Sequence, residues 1–117
     1  MKKTTMIILV VVTILIGLVI INSTGNTKWT WKLSTDNKGW NDVVFTQAQL
    51  NCCTNDNPVN VLQSIDQCWD FIFDSAGKNY WHNQGASLEG GTLQHILPNV
   101  TYQLHVTQDC ILIINKC

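Results

Sequence analysis

Residues 68–83, CWDFIFDSAGKNYWHN, decide how the chain is read. In the first half, Trp69, Phe71 and Phe73 fall on one face and Cys68, Asp70, Ile72 and Asp74 on the other. A period of two belongs to a half-buried strand. Residues 74–79 contain Ala76-Gly77 and reverse the chain, so residues 79–82 return as a second strand of a hairpin. The pattern predicts Trp69, Phe71 and Phe73 in the core and Asp70 and Asp74 in solvent.

Outward from the hairpin the same chemistry repeats. Residues 28–34, KWTWKLS, alternate cleanly, with Trp29, Trp31 and Leu33 opposite Lys28, Thr30 and Lys32. STDNKGWND is a turn cluster that contains Trp40, and DVVFTQ after it is a β-branched run. Residues 48–60 begin ambiguously and end in a turn; in the alternative, Asn57-Pro58 caps a helical turn carrying Val61, Leu62 and Ile65. NQGASLEGG is a loop, TLQHIL a strand, TYQLHVT an alternating strand. CILIINK is apolar on both faces, as a covered strand is. About seven short strands with turn chemistry between them predict an all-β fold, a small β-sandwich or jelly-roll-like domain over residues 28–117. LPNVTYQLHV resembles the stretch of immunoglobulin and fibronectin-type sandwiches where a tyrosine corner leads into a late strand, which implies the corner role for Tyr102. Cys68 and Trp81 are spaced as the cysteine and tryptophan of immunoglobulins are. Leu104 stands where that pattern has its second cysteine.

The N-terminal 27 residues are of another kind. Lys2 and Lys3 precede an uncharged, mostly apolar stretch over residues 4–21. As a helix it would span roughly 27 Å, close to the ~30 Å of a hydrocarbon core. A cleaved export signal has the same order of features, and Ser23 and Gly25 fit a cut after Gly25, but the apolar stretch exceeds the usual signal length. The first cysteine is Cys52, too far along for a lipoprotein. The expectation is one retained transmembrane helix, with residues 22–27 as tether and the lysines on the cytoplasmic side.

Composition bounds the rest. Only 13% of residues are charged, against roughly 25% in an average domain. Beyond Ile21 five lysines face eight acids, a net of about −3. No basic patch exists for nucleic acid. Five cysteines in a small domain beyond a membrane predict disulfides with one thiol left over. Cys52 or Cys53 with Cys68 is the best local pairing, worth roughly 3 kcal/mol for a loop of about 15 residues; Cys110 with Cys117 is another. Paired Cys-x-x-Cys spacing is absent, so no metal is expected. His82, His95 and His105 lie on separate elements, and no spacing points to catalytic residues or a cofactor. Asn99-Val100-Thr101 is a glycosylation acceptor in a lumenal setting. Trp40, Tyr80 and Trp81 are the candidate surface aromatics for a partner or ligand.

The order of anchor and compact strand-rich domain, MKKTTMIILVVVTILIGLVII followed by residues 28–117, resembles the membrane-tethered minor capsid proteins of large icosahedral DNA viruses with an internal membrane, such as the chlorella viruses. The resemblance implies a non-enzymatic structural protein, held in the membrane through residues 4–21 and contacting a shell or envelope protein between internal membrane and capsid. The alternative from the residues is a secreted or surface-displayed carbohydrate- or ligand-binding module, in which Trp40, Tyr80 and Trp81 share one exposed face.

Overall fold

The computed structural model describes residues 27–117. The expected transmembrane helix lies outside the described residues; among these, no helix is long and apolar enough to cross a membrane. The domain is mostly β, with two antiparallel sheets. The smaller pairs β1 (Lys28–Leu33) with β7 (Cys110–Asn115). The larger has the order β2-β6-β3-β4-β5, from β2 (Trp40–Val44), β6 (Thr101–Val106), β3 (Trp69–Asp74), β4 (Asn79–Trp81) and the two-residue β5 (Gly90–Gly91). Seven strands among the described residues and a sandwich-like layering agree with the all-β expectation.

Between the sheets lies one core. Val43, Tyr102, Leu104, Val106, Trp69 and Ile72 come from the larger sheet, and Leu33, Leu112 and Ile114 from the smaller. Two short helices close one side. Thr46 and Gln49 form a reciprocal cap at the start of α1 (Gln47–Asn51), which buries Leu50. Asn57 caps α2 (Pro58–Val61), with Pro58 at the first helical position, where its missing N–H costs nothing. A 3-10 turn at Gln63–Ile65 follows, so Val61, Leu62 and Ile65 enter the core by the helical alternative. That turn also closes the far edge of β7, where the Ile113 N–H donates to Ser64 Oγ at 2.8 Å.

The hairpin departs from its expected register. Trp69 pairs with Val106 and Phe71 with His105, so two residues of β3 stand against one of β6 at Asp70. This bulge inverts the alternation beyond it. Trp69 and Ile72 are buried, while Phe71 and Phe73 turn to the outer face, half-buried. Asp70 and Asp74 are half-buried too, and Asp74 builds the turn by accepting from the backbone of Ala76 and Lys78.

Two further expectations are corrected. Residues 92–97 form no strand. Leu93 and Ile96, three apart, are buried and hang on single bonds to the carbonyls of Asn79 and Asp56. The cysteines pair across the fold and not locally: Cys68 with Cys110 and Cys52 with Cys117. Cys53, offered above as a partner for Cys68, is free, its thiol directed back at the Gln49 carbonyl of its own helix. Cys68–Cys110 staples one sheet to the other. With sequence separations of 42 and 65, each bridge removes about 4 kcal/mol of chain entropy from the unfolded state in the loop-closure model. Tyr102 is fully buried, and its hydroxyl accepts from the Leu97 N–H at 2.8 Å, the geometry a tyrosine corner requires.

The bulge sets the order of two substitutions. Ile72→Ala should cost about 2–5 kcal/mol, as for a fully buried side chain. Phe73→Ala should cost less than that, although it removes more atoms. Urea unfolding of both variants checks this; the reverse order would mean that β3 runs without the bulge.

Candidate functional site

Because the bulge turns Phe71 and Phe73 outward, the outer face of the larger sheet gains an aromatic row. The cross-strand partners Trp40, His105, Phe71 and Trp81 run across β2, β6, β3 and β4 in one line. One step along, Asp42, Gln103, Phe73 and Asn79 form a second line. The rings touch. Phe71 and Trp81 have centroids 4.0 Å apart, Trp40 and His105 4.8 Å, Trp40 and Phe73 5.5 Å. Most pairs are steeply tilted, up to 83° between Trp40 and Phe71, the edge-to-face packing that ring quadrupoles favour. Trp81 is 44% exposed, and Trp40, Phe71 and Phe73 are half-buried. The Gln103 amide donates to Asp42 Oδ1 beside them.

Local sequence fixes the row in place. His105 Nδ1 lies 2.6 Å from Asp70 Oδ1 and Nε2 2.9 Å from the Lys38 carbonyl, so the ring ties the bulge to the turn before β2. That turn passes close over β6 at Gly39, which has φ +89° and accepts from the Val106 N–H at 2.8 Å; a Cβ there would stand 2.5 Å from the Val106 carbonyl oxygen. Only glycine fits both the conformation and the space. Asn41 holds the turn from within, accepting from Ser34 N–H and donating to the Ser34 and Gly39 carbonyls.

Of the three candidate aromatics, Trp40 and Trp81 share this face and Tyr80 does not. Tyr80 pairs with Ile72 on the inner side, lies against Trp69, and donates its hydroxyl to Glu89 Oε2 at 3.0 Å. Trp40 belongs to a strand and not a turn, because Gly39 ends the reversal one residue earlier. Phe71 and Phe73 are not expected on this face, since nothing in a period-two pattern announces a bulge; His105 faces outward by the regular alternation of β6. Asn99 is exposed in the turn before β6, with φ 63°.

A second cluster is buried under the β4–β5 connection. His82, 6% exposed, stacks on Trp69 at 4.3 Å. Its Nδ1 lies 2.6 Å from Glu89 Oε2 and its Nε2 2.9 Å from Asp66 Oδ1. Two carboxylate acceptors on two ring nitrogens are both satisfied only by the doubly protonated imidazolium. Burial alone would lower the His82 pKa; the hydrogen bonds it donates to Glu89 and Asp66 outweigh that and raise it above the ordinary 6.5. Burial works against the Glu89 carboxylate as well, and the contacts with His82, the Asn83 N–H and the Tyr80 hydroxyl hold its pKa below the ordinary 4.5. With both nitrogens engaged by carboxylates, this histidine clamps Glu89 to Asp66. Among the described residues no group of three or more His, Cys, Asp or Glu is placed to hold a metal ion. Burial pushes the Cys53 thiol up, away from the thiolate that chemistry would need.

Comparison with protein-family models, with curated proteins and with solved structures finds no match for the chain.

The clamp makes stability depend on pH in a definite direction. A raised His82 pKa adds stability that is complete below about 6.5 and fades as pH rises through the folded value; the lowered Glu89 pKa adds stability that fades as pH falls below about 4.5. The urea midpoint should therefore fall between pH 6 and pH 9. His82→Asn should cost about 1–3 kcal/mol at pH 6 and flatten that slope. Equal slopes in the two proteins would show that His82 carries no such linkage.

Proposed function

We propose that the chain is a non-enzymatic, membrane-tethered binding component, in which residues 4–21 hold it at a membrane and the aromatic face of the larger sheet docks onto another protein. The single observation behind this reading is the row Trp40, His105, Phe71, Trp81, which lines the outer face of the larger sheet and is braced by the Asp70–His105 bond. Tryptophan and its aromatic neighbours, held rigid and clustered at the centre of a patch, are what interface hot spots are made of. Gln103 and Asn79 beside them give a rim of neutral hydrogen-bonding groups, and the Asp42 carboxylate is already held by the Gln103 amide. The disulfides suit a domain placed across the membrane from the cytoplasm. The resemblance in organisation to membrane-anchored minor capsid proteins makes a virion with an internal membrane the setting this reading fits, with a shell or envelope protein as the partner and a jelly-roll-like sandwich as the finer fold.

A second reading has its own observation. Trp40 and Trp81 share one face with amide and carboxylate groups beside them, as a carbohydrate-binding surface would. Pyranose rings stack on open, flat aromatic faces. Here the rings are tilted 38° to 83° against one another and share no common plane, so the protein partner is the better fit.

A photoreactive benzoylphenylalanine replacing Asp42 in the full chain tests this in the native membrane or particle. One protein adduct at fixed stoichiometry is expected, and none when the probe replaces Thr30 on the other layer. Trp81→Ala should weaken the interaction by about 2 kcal/mol or more, roughly 30-fold, as for a central hot spot. Equal labelling from Thr30, or retention of the chain on a glycan surface through Trp81, would replace the proposal.

A further inference from the structure

The tether between the apolar stretch and the domain is short. Seven peptide steps from Ile21 to Lys28 reach at most about 25 Å when fully extended. Whatever lies at the start of β1 is therefore held close to any membrane that residues 4–21 occupy. At that place the structure gathers a distinctive set. The Lys116 N–H donates to the Thr27 carbonyl at 2.9 Å, which extends the β1–β7 ladder to the point where the chain enters the domain. Lys28 stands opposite Asn115. Lys28 and Lys116 are exposed, and Trp29 is half-buried, one side of it packed against the edge of the core. The Lys116 ammonium sits over the Trp29 ring, 5.3 Å from its centroid. A concavity beside Lys28 is walled by Thr54, Asn60, Gln63, Ser64 and Asn115 among others, and no carboxylate is among its walls. Two of the five lysines of the described residues, Lys28 and Lys116, lie at this end of the β1–β7 ladder.

We infer that this pole, Lys28, Trp29 and Lys116, docks on the phospholipid headgroups of the membrane that anchors the chain; the inference rests on the reading of residues 4–21 as an anchor. An indole sits well at the level of the headgroups, apolar in body and polar at its edge. A lysine beside it lays its stem on the ring and reaches with its ammonium to a phosphate. Hydroxyl and amide groups around the concavity add neutral donors. Each contact is weak on its own. The tether multiplies them, because a surface held within about 25 Å of its ligand meets it at high effective concentration. The docked pole and the aromatic face share no residue and belong to different sheets, so the domain can sit on the membrane with Trp40 and Trp81 still free for a protein.

The test uses the full chain reconstituted in phosphatidylcholine–phosphatidylglycerol vesicles that carry bromines at a shallow acyl position. Tryptophan quenching is compared between the wild type and Trp29→Phe. Most of the quenching should disappear in Trp29→Phe. In the double variant Lys28→Gln/Lys116→Gln it should fall at least twofold, and it should fall likewise in the wild type when salt is raised from 50 to 500 mM, since screening weakens lysine–phosphate attraction. Equal quenching in wild type and Trp29→Phe, with the protein still floating with the vesicles after an alkaline wash, would overturn the docking of the pole and leave the anchor standing. Release of the chain from vesicles by the alkaline wash would overturn the anchor, and the docking with it.

Discussion

One extra residue in β3 organises both faces of the larger sheet. At Asp70 two residues of β3 oppose one of β6. Without it, Trp69, Phe71 and Phe73 would all enter the core and Ile72 would face solvent. With it, Trp69 and Ile72 are buried and the two phenylalanines are delivered to the outer surface between Trp40 and Trp81. The bulge is held by a specific bond, Asp70 to His105 at 2.6 Å, and His105 in turn reaches the Lys38 carbonyl. A carboxylate and an imidazole therefore join the bulge, the middle strand and the turn over Gly39 into one unit. The aromatic row is rigid for that reason, and rigidity is what lets a small patch bind without a large ordering cost.

The core beneath is small, as it must be in a domain of about 90 residues, and covalent and ionic ties supplement it. Cys68–Cys110 crosses from one sheet to the other, and Cys52–Cys117 secures the strand end next to α1. The β4–β5 connection leaves Leu88 exposed. It is fixed by a buried imidazolium between Glu89 and Asp66 and by Asn83, whose amide donates to the Asp66 carbonyl. Each tie joins elements that are distant in sequence, which a hydrophobic core of this size does only in part.

The parts of the fold legible from sequence were those encoded by local periodicity. Lys28–Leu33 and Thr101–Val106 alternate without interruption, and the burial of Leu33, Tyr102, Leu104 and Val106 follows from that pattern alone. The turn at Gly77 was equally local, and the corner role of Tyr102 came from the resemblance of LPNVTYQLHV to immunoglobulin-type sandwiches. What sequence did not reveal depends on long-range pairing. A bulge has no signature in a run such as WDFIFD, because it is chosen by the partner strand. Leu93 and Ile96 look like strand residues, yet they are placed by carbonyls of Asn79 and Asp56 on other elements. Disulfide connectivity was misjudged for the same reason: loop entropy favours near neighbours in the unfolded chain, while the folded sheets decide which sulfurs meet. At the site, Trp40 and Trp81 were found from their turn and strand-end positions. Phe71 and Phe73 became face residues only through the bulge, whereas His105 faces outward by the uninterrupted alternation of β6.

Aromatic proton contacts measured by nuclear magnetic resonance in the full chain would test the central claim most directly. The account predicts nuclear Overhauser contacts from the Phe71 ring to the indoles of Trp40 and Trp81, and from the Ile72 methyls to Leu104 and Tyr80. Contacts from Phe71 to the methyls of Leu104 or Leu112, with Ile72 free of core neighbours, would contradict it, because the aromatic residues would then be filling the core and no binding face would exist.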